Sequence, residues 1–372
     1  MAGELVDICS VLGAIVLGIS LLLLAWRRIV KRWSRNMDVS DDTRYAETLT
    51  TLSEASVRRS FDPYTDIDWD AQEFAVTADD PRWVLSASDP LGRHPWYRTQ
   101  QLEKQIAIGM WRAAHIAKAS LHLESILIRG LMQYSFWVPN GSPEYRYCLH
   151  EAVEECNHSM MFQELVNRIG VNVPGMPRLL RWISPFVPLY AGPLPNVFFF
   201  GVMAGEVPID YRQKNMLREG GSLHPIVQKV MAIHVAEEAR HISFADAYLR
   251  KRVPNLLRIS RFWLSLYVPV SMRLLCQVTV PPRSFFKEFD IPRSVRKEVF
   301  FDAPESRQTL RNMFGDVRML CYDVGLMNPF ALLMWRICKI GGRPSRYRSE
   351  PQREHPLTPV RPAKRPPLTV RD

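Results

Sequence analysis

Glu155 and His158, and again Glu238 and His241, stand three residues apart, a separation that turns both side chains of a pair the same way when the backbone is an α-helix. Each pair follows a lone glutamate, Glu124 before the first and Glu206 before the second. That order, a glutamate and then Glu-x-x-His, twice over, is the ligand pattern of a carboxylate-bridged two-metal site inside a four-helix bundle. A chain bound by this pattern is expected to be all-α, with its four ligand-bearing helices facing one another.

The lone glutamates sit on apolar faces. Leu121, Leu127, Ile128 and Leu131 share the helical face of Glu124, and Val202, Met203 and Ile209 surround Glu206 at helical spacing. A buried ionised carboxylate costs several kcal/mol unless it is paired or binds a cation. Four such carboxylates around two divalent cations sum to zero charge. His234 lies one turn before Glu238, so His234, Glu238 and His241 form one stripe. In the zinc-protease pattern the glutamate directly follows the first histidine, which is not the case here. Glu154 and Glu237 are each one residue off the stripe and read as solvated or ion-paired. Glu151, one turn before Glu155, is a candidate for support behind the ligands. His115, His122, His150 and His224 lack the spacing and read as surface or satisfied core histidines.

From Ile8 to Trp26 the chain carries no charge. At about 1.5 Å per helical residue this run approaches the roughly 30 Å hydrocarbon thickness of a bilayer. Arg27, Arg28, Lys31, Arg32 and Arg35 follow, whereas Glu4 and Asp7 precede, so the positive-inside rule places the remainder in the cytoplasm. A cleaved signal peptide would carry its basic residues before the apolar run and small residues at the cut, so an uncleaved single-pass anchor in the cell membrane is expected. The apolar stretch from Phe262 to Val280 contains Pro269 and Arg273 and reads as a buried bundle helix.

The formal net charge is +10, of which the run after the anchor supplies five. Residues 342–372 supply another five, with eight basic and three acidic residues. The rest sums to zero, so the basic balance belongs to the flanks and argues against a nucleic-acid face. The proline-rich tail cannot bury enough apolar surface to fold alone. The expected organisation is an anchor with its basic run at 1–35, a polar lead-in at 36–95, a helical domain at 96–341 and a disordered basic tail at 342–372. The six cysteines are scattered without metal-site spacing, and no glycine-rich phosphate loop follows a strand.

Glu124, Glu155, His158, Glu206, His234, Glu238 and His241 together resemble the seven-ligand set of the p-aminobenzoate N-oxygenase family of diiron oxygenases. The histidine one turn before the last Glu-x-x-His is the distinguishing element, since other ferritin-like sites manage with six protein ligands. The resemblance implies a ferritin-like bundle holding two iron ions, which bind O2 and insert oxygen into a substrate. It further implies that Glu155 and Glu238 bridge the metals, that Glu124 and His158 complete one iron, and that Glu206, His234 and His241 complete the other. Ligand chemistry alone leaves manganese open beside iron. The chain has no redox cofactor of its own, so a ferredoxin or reductase is the expected electron donor.

The expected activity is a membrane-anchored monooxygenase that N-oxygenates or hydroxylates an amine or lipophilic small molecule. Asp210, one turn beyond Glu206, is the candidate substrate-facing residue, because its carboxylate would repel an anionic substrate; pairing with Arg212, Arg240 or a similar base is the simpler reading. An acyl-lipid desaturase or hydroxylase and a non-catalytic ferritin-like iron-binding protein are the alternatives.

Overall fold

The computed structural model describes residues 39–219 and 223–345, so the expected anchor and most of the expected tail lie outside the described residues. Every regular element among the described residues is helical. Four long helices make the bundle: α2 (Leu102–Ser135), α3 (Pro143–Ile169), α5 (Pro195–Glu219) and α6 (Pro225–Arg252), preceded by α1 (Val39–Arg58). Between α3 and α5 the chain crosses over through the short α4 (Arg178–Ile183) and a 3-10 turn at Ser184–Tyr190.

Local chemistry sets the helix ends. Ser142 caps α3 by accepting a hydrogen bond from the Tyr145 amide, with Pro143 in the first turn, where its missing N–H costs nothing. Gly170 ends α3 at φ 72°, a left-handed conformation that glycine adopts without a Cβ penalty.

Helices α2 and α3 form one hairpin and α5 and α6 the other. At one end of the bundle, Tyr134 near the end of α2 donates to Glu144 at the start of α3 and packs against Phe199 of α5 and Tyr248 of α6. The crossover therefore returns the chain to this end before α5 begins. The start of α1 stands here too, because Tyr45 donates to the same Glu144 oxygen at 2.7 Å.

Two apolar cores fill the bundle. One gathers Leu127 and Leu131 of α2, Tyr147 and Ala152 of α3, Phe198 to Phe200 of α5, and Phe244 and Tyr248 of α6. The other, toward the opposite end, gathers Ile106 and Trp111 of α2, Phe162 and Leu165 of α3, and Val227 and Val230 of α6. Between them lies the mid-length of all four helices, where the polar candidates sit. A third, small cluster flanks this level, with Met176 and Leu180 of the crossover against Ala119 and Leu123 of α2.

The stretch expected as a polar lead-in is folded onto the bundle. α1 contributes Tyr45 and Leu49 to the first core, and Ile67, Trp69, Trp83 and Leu91 join the second. After α6, α7 (Arg258–Leu275) packs on α5 and buries Leu264, Val268 and Met272. The segment Arg258–Glu288 is long and apolar enough to cross a membrane, but half of its most apolar window is buried inside the domain. This agrees with the expected bundle helix. Cys148, Cys156, Cys276, Cys321 and Cys338 are free thiols.

Candidate metal centre

All seven candidate ligands are buried at mid-bundle. Glu124 comes from α2, Glu155 and His158 from α3, Glu206 from α5, and His234, Glu238 and His241 from α6. Each is at most 3% exposed. Ligand atoms of Glu155, His158, Glu238 and His241 all lie within 4.8 Å of one another, close enough to share a metal. His158 Nδ1 is 3.0 Å from Glu155 Oε2, and His241 Nδ1 is 2.6 Å from Glu155 Oε1 and 3.6 Å from Glu238 Oε2. Nε2 of His234 is 3.5 Å from both Glu124 Oε1 and Glu238 Oε2.

The grouping differs in one respect from the sequence-based expectation. His234 was expected beside Glu206, yet its inward nitrogen approaches Glu124 and its ring lies 4.6 Å from that of His158. The spacing of His234 fixes the face of α6 on which it sits; which neighbouring helix that turn meets is set by packing.

The carboxylates are electrostatically incomplete as they stand. Glu124 lies against Glu155, and Glu206 against Glu238, contacts that repel unless a proton or a cation stands between them. Burial, followed by these like charges, pushes Glu124 and Glu206 well above the usual carboxylate range. Burial works in the same direction on Glu155, but His241 and His158 outweigh it and hold that group low. Both oxygens of Glu124, both of Glu238, Nε2 of His234 and Nδ1 of His241 lack a hydrogen-bond partner. His241 Nδ1 and Glu155 Oε1 are near but not aligned as a hydrogen bond. Unpaired buried donor atoms aimed at one interior region are what divalent cations would satisfy, so the residues present fit a dimetal centre.

A second ring of side chains holds the imidazoles. The outward Nε2 of His158 meets Glu237 Oε2 at 2.9 Å, and the outward Nε2 of His241 meets Glu154 Oε2 at 2.7 Å. The brace is reciprocal: Glu237, beside Glu238 on α6, holds the histidine of α3, and Glu154, beside Glu155 on α3, holds the histidine of α6. Arg240 Nη2 donates to both, at 2.8 Å to Glu154 and 3.2 Å to Glu237. Gln213 Oε1 accepts from Nδ1 of His234 at 2.8 Å. With the outer nitrogens so engaged, His158 and His241 present Nδ1 inward and His234 presents Nε2.

Glu154 and Glu237, expected as solvated or ion-paired, are ion-paired with Arg240 and buried, and their bonds to the histidines went unforeseen. Glu151 is buried on the same side, and burial raises its pKa well above normal. Asp210 is fully buried one turn from Glu206 and pairs with Lys214 at 2.8 Å, a base of the kind that the simpler reading allows beside Arg212 and Arg240. His115 is buried against Trp111 with neither ring nitrogen hydrogen-bonded, so it is a core histidine but not a satisfied one. An indentation of about 10 Å³, lined by Phe61, Pro63, Asn157, His158 and Glu237 among others, lies behind His158 and the glutamate that supports it. Its volume is about that of one water.

A family model described as P-aminobenzoate N-oxygenase AurF matches residues 42–325. Uncharacterized proteins of Mycobacterium bovis and Mycobacterium tuberculosis are 70% identical over 329 residues, which cover 88% of this chain and 97% of each relative. The matched region contains all four bundle helices and the seven buried residues between them.

Proposed function

Because the chain belongs to the p-aminobenzoate N-oxygenase family, we propose that it is a membrane-anchored diiron monooxygenase that uses O2 to N-oxygenate or hydroxylate an amine or lipophilic organic substrate. The observation that carries this reading is the convergence of Glu155, His158, Glu238 and His241 within 4.8 Å, at the level where both apolar cores stop. Glu124, Glu206 and His234 complete the ligand set. Two ferrous ions held there would supply open coordination positions and electrons for O2 reduction.

The chain's own residues do the remaining work. Glu155 and Glu238 lie at the centre of the cluster and are the bridging candidates. Glu154, Glu237 and Gln213 fix the tautomers of the three imidazoles, so that each offers a lone pair inward. Arg240 bridges the two outer carboxylates and offsets one of their two charges. The apolar cores above and below exclude water, which preserves a reactive oxidant for the substrate. Asp210 is ion-paired with Lys214, so the pair is neutral in sum and sets no preference between anionic and neutral substrates. Incorporating one oxygen atom while reducing the other to water takes two protons and two electrons besides the two that the substrate gives; the ferrous pair would supply those electrons, and a separate ferredoxin or reductase would restore them.

The test is metal counting on the anaerobically loaded full chain, followed by exposure to labelled O2 with candidate amines and lipophilic aromatics. About two irons per chain and label in a product are expected. Many irons per chain would instead indicate an iron store, and label-free desaturated product a desaturase. Glu155→Ala and Glu238→Ala should each abolish metal binding, whereas His234→Ala should retain metal with altered oxygen reactivity. Normal iron content in either glutamate variant would refute the bridging assignment.

A further inference from the structure

One flank of the domain displays a group of exposed aromatic side chains. At the end of α2, Phe136 is 80% and Trp137 64% exposed. On the crossover beside it, Trp182 is 72%, Phe186 53% and Leu189 58% exposed. The two segments form one face: the 3-10 turn packs on α2, and the Trp137 indole lies against Gly192, just past that turn. The opposite side of the crossover is anchored, with Met176 and Leu180 turned in against Leu123. The outward aromatics are therefore displayed by a seated element.

Charge on this face has one sign. No acidic residue occurs between Glu124 and Glu144, or between Glu164 and Glu206, while Arg129, Arg178 and Arg181 are exposed. Tryptophan and phenylalanine beside arginine, without acids, is the composition that settles at the headgroup–acyl boundary of an anionic bilayer. A second copy of the chain is a poor occupant. A two-fold contact would set the same acid-free, arginine-bearing patch against itself, with no carboxylate to meet the guanidinium groups.

The chain's path points the same way. The start of α1 stands at the end of the bundle where Phe136 and Trp137 emerge, through the hydrogen bonds of Tyr45 and Tyr134 to Glu144. The uncharged run from Ile8 to Trp26, read as a span, lies just before it in sequence. We infer that the face made by the end of α2 and the crossover rests on an anionic lipid bilayer, with Trp137, Trp182 and Phe186 at the headgroup–acyl boundary and Arg129, Arg178 and Arg181 on lipid phosphates. This placement is independent of the metal chemistry.

The experiment reconstitutes the full chain into vesicles of phosphatidylcholine with or without phosphatidylglycerol and measures tryptophan quenching by brominated acyl chains. Trp137→Phe and Trp182→Phe should each reduce the quenchable signal relative to wild type, with a larger loss in vesicles containing phosphatidylglycerol. A Phe186→Glu/Leu189→Glu variant changes only exposed positions; it should remain vesicle-bound through the N-terminal run but lose the share of quenching that belongs to Trp182. Equal quenchable signal in wild type and both phenylalanine variants overturns the proposal, as does quenching indifferent to lipid charge. A stable dimer in vesicles with Trp182 shielded from bromine also overturns it.

Discussion

Each of the three imidazoles in the candidate ligand set is held from behind by an oxygen of another helix, and this gives Glu154, Glu237 and Gln213 measurable effects. Losing such a support typically lowers metal affinity about 10–100-fold. Glu154→Gln and Glu237→Gln should each weaken iron binding by about that factor in a chelator competition titration, without abolishing it; unchanged affinity in both would remove the brace from the account. The seven inner residues are legible in the sequence because spacings of three and four project onto one helical face. Their supports are less so, since Glu154 and Glu237 lie about 100° around the helix from the stripe and answer to a neighbouring helix. A signal was nevertheless present in the doublet Glu-Glu-x-x-His, which occurs at both pairs, and in Gln213, two turns after Glu206. His115 supplies a separate test. Burial, and then Arg112, push its pKa down to about 3, against about 6.5 in an unfolded chain. Below pH 6.5 the unfolded chain takes up a proton that the folded one refuses, so this group lowers stability by about 1.4 kcal/mol per pH unit as pH falls. Denaturant titrations at pH 7 and pH 5 should show a smaller loss for His115→Phe than for wild type; equal losses would show that His115 is protonated in the fold.

The elements that place the site meet at close range. A Cβ on Gly109 of α2 would run into the Trp83 carbonyl oxygen, so the helix rests directly on the backbone of the segment before it. Backbone cannot swing aside as a flexible side chain can. Gly109→Ala is therefore expected to cost at least about 1–3 kcal/mol, visible as a lower melting temperature, and an unchanged value would mean that the segment is free to shift. The long helices were legible from their apolar periodicity and their ligand stripes. The irregular stretch ahead of α2 was not, because Ile67 and Trp69 alternate over a single step between aspartates, and Trp83 and Leu91 stand alone, too few to set a helical or strand period. Each fills a gap left by the bundle, and nothing local marks it as core. The crossover was equally hidden: its inward Leu180 and outward Trp182 are neighbours of similar hydropathy, told apart only by what α2 offers beneath them.

Viewed as a whole, the molecule is two apolar cores with a polar layer between them, and the layer is its electrostatic weak point. Cations that bind the folded layer and not the unfolded chain stabilise the domain by mass action, about 2.7 kcal/mol at a hundredfold excess over Kd. Stripping metal from the full chain should lower its melting temperature by roughly 5–10 °C, and ferrous or manganous ion should restore it. A melting temperature indifferent to both ions would mean that the layer is closed to metal. The reciprocal brace also bears on how the chain can be divided. Helices α2 and α3 look like a self-sufficient hairpin, as do α5 and α6, yet each lends a glutamate to the other's histidine and receives one back. A chain cut within the crossover would leave two fragments, each with a buried ligand set missing its counter-groups, so neither half is a folding unit and order should return only when the fragments are mixed.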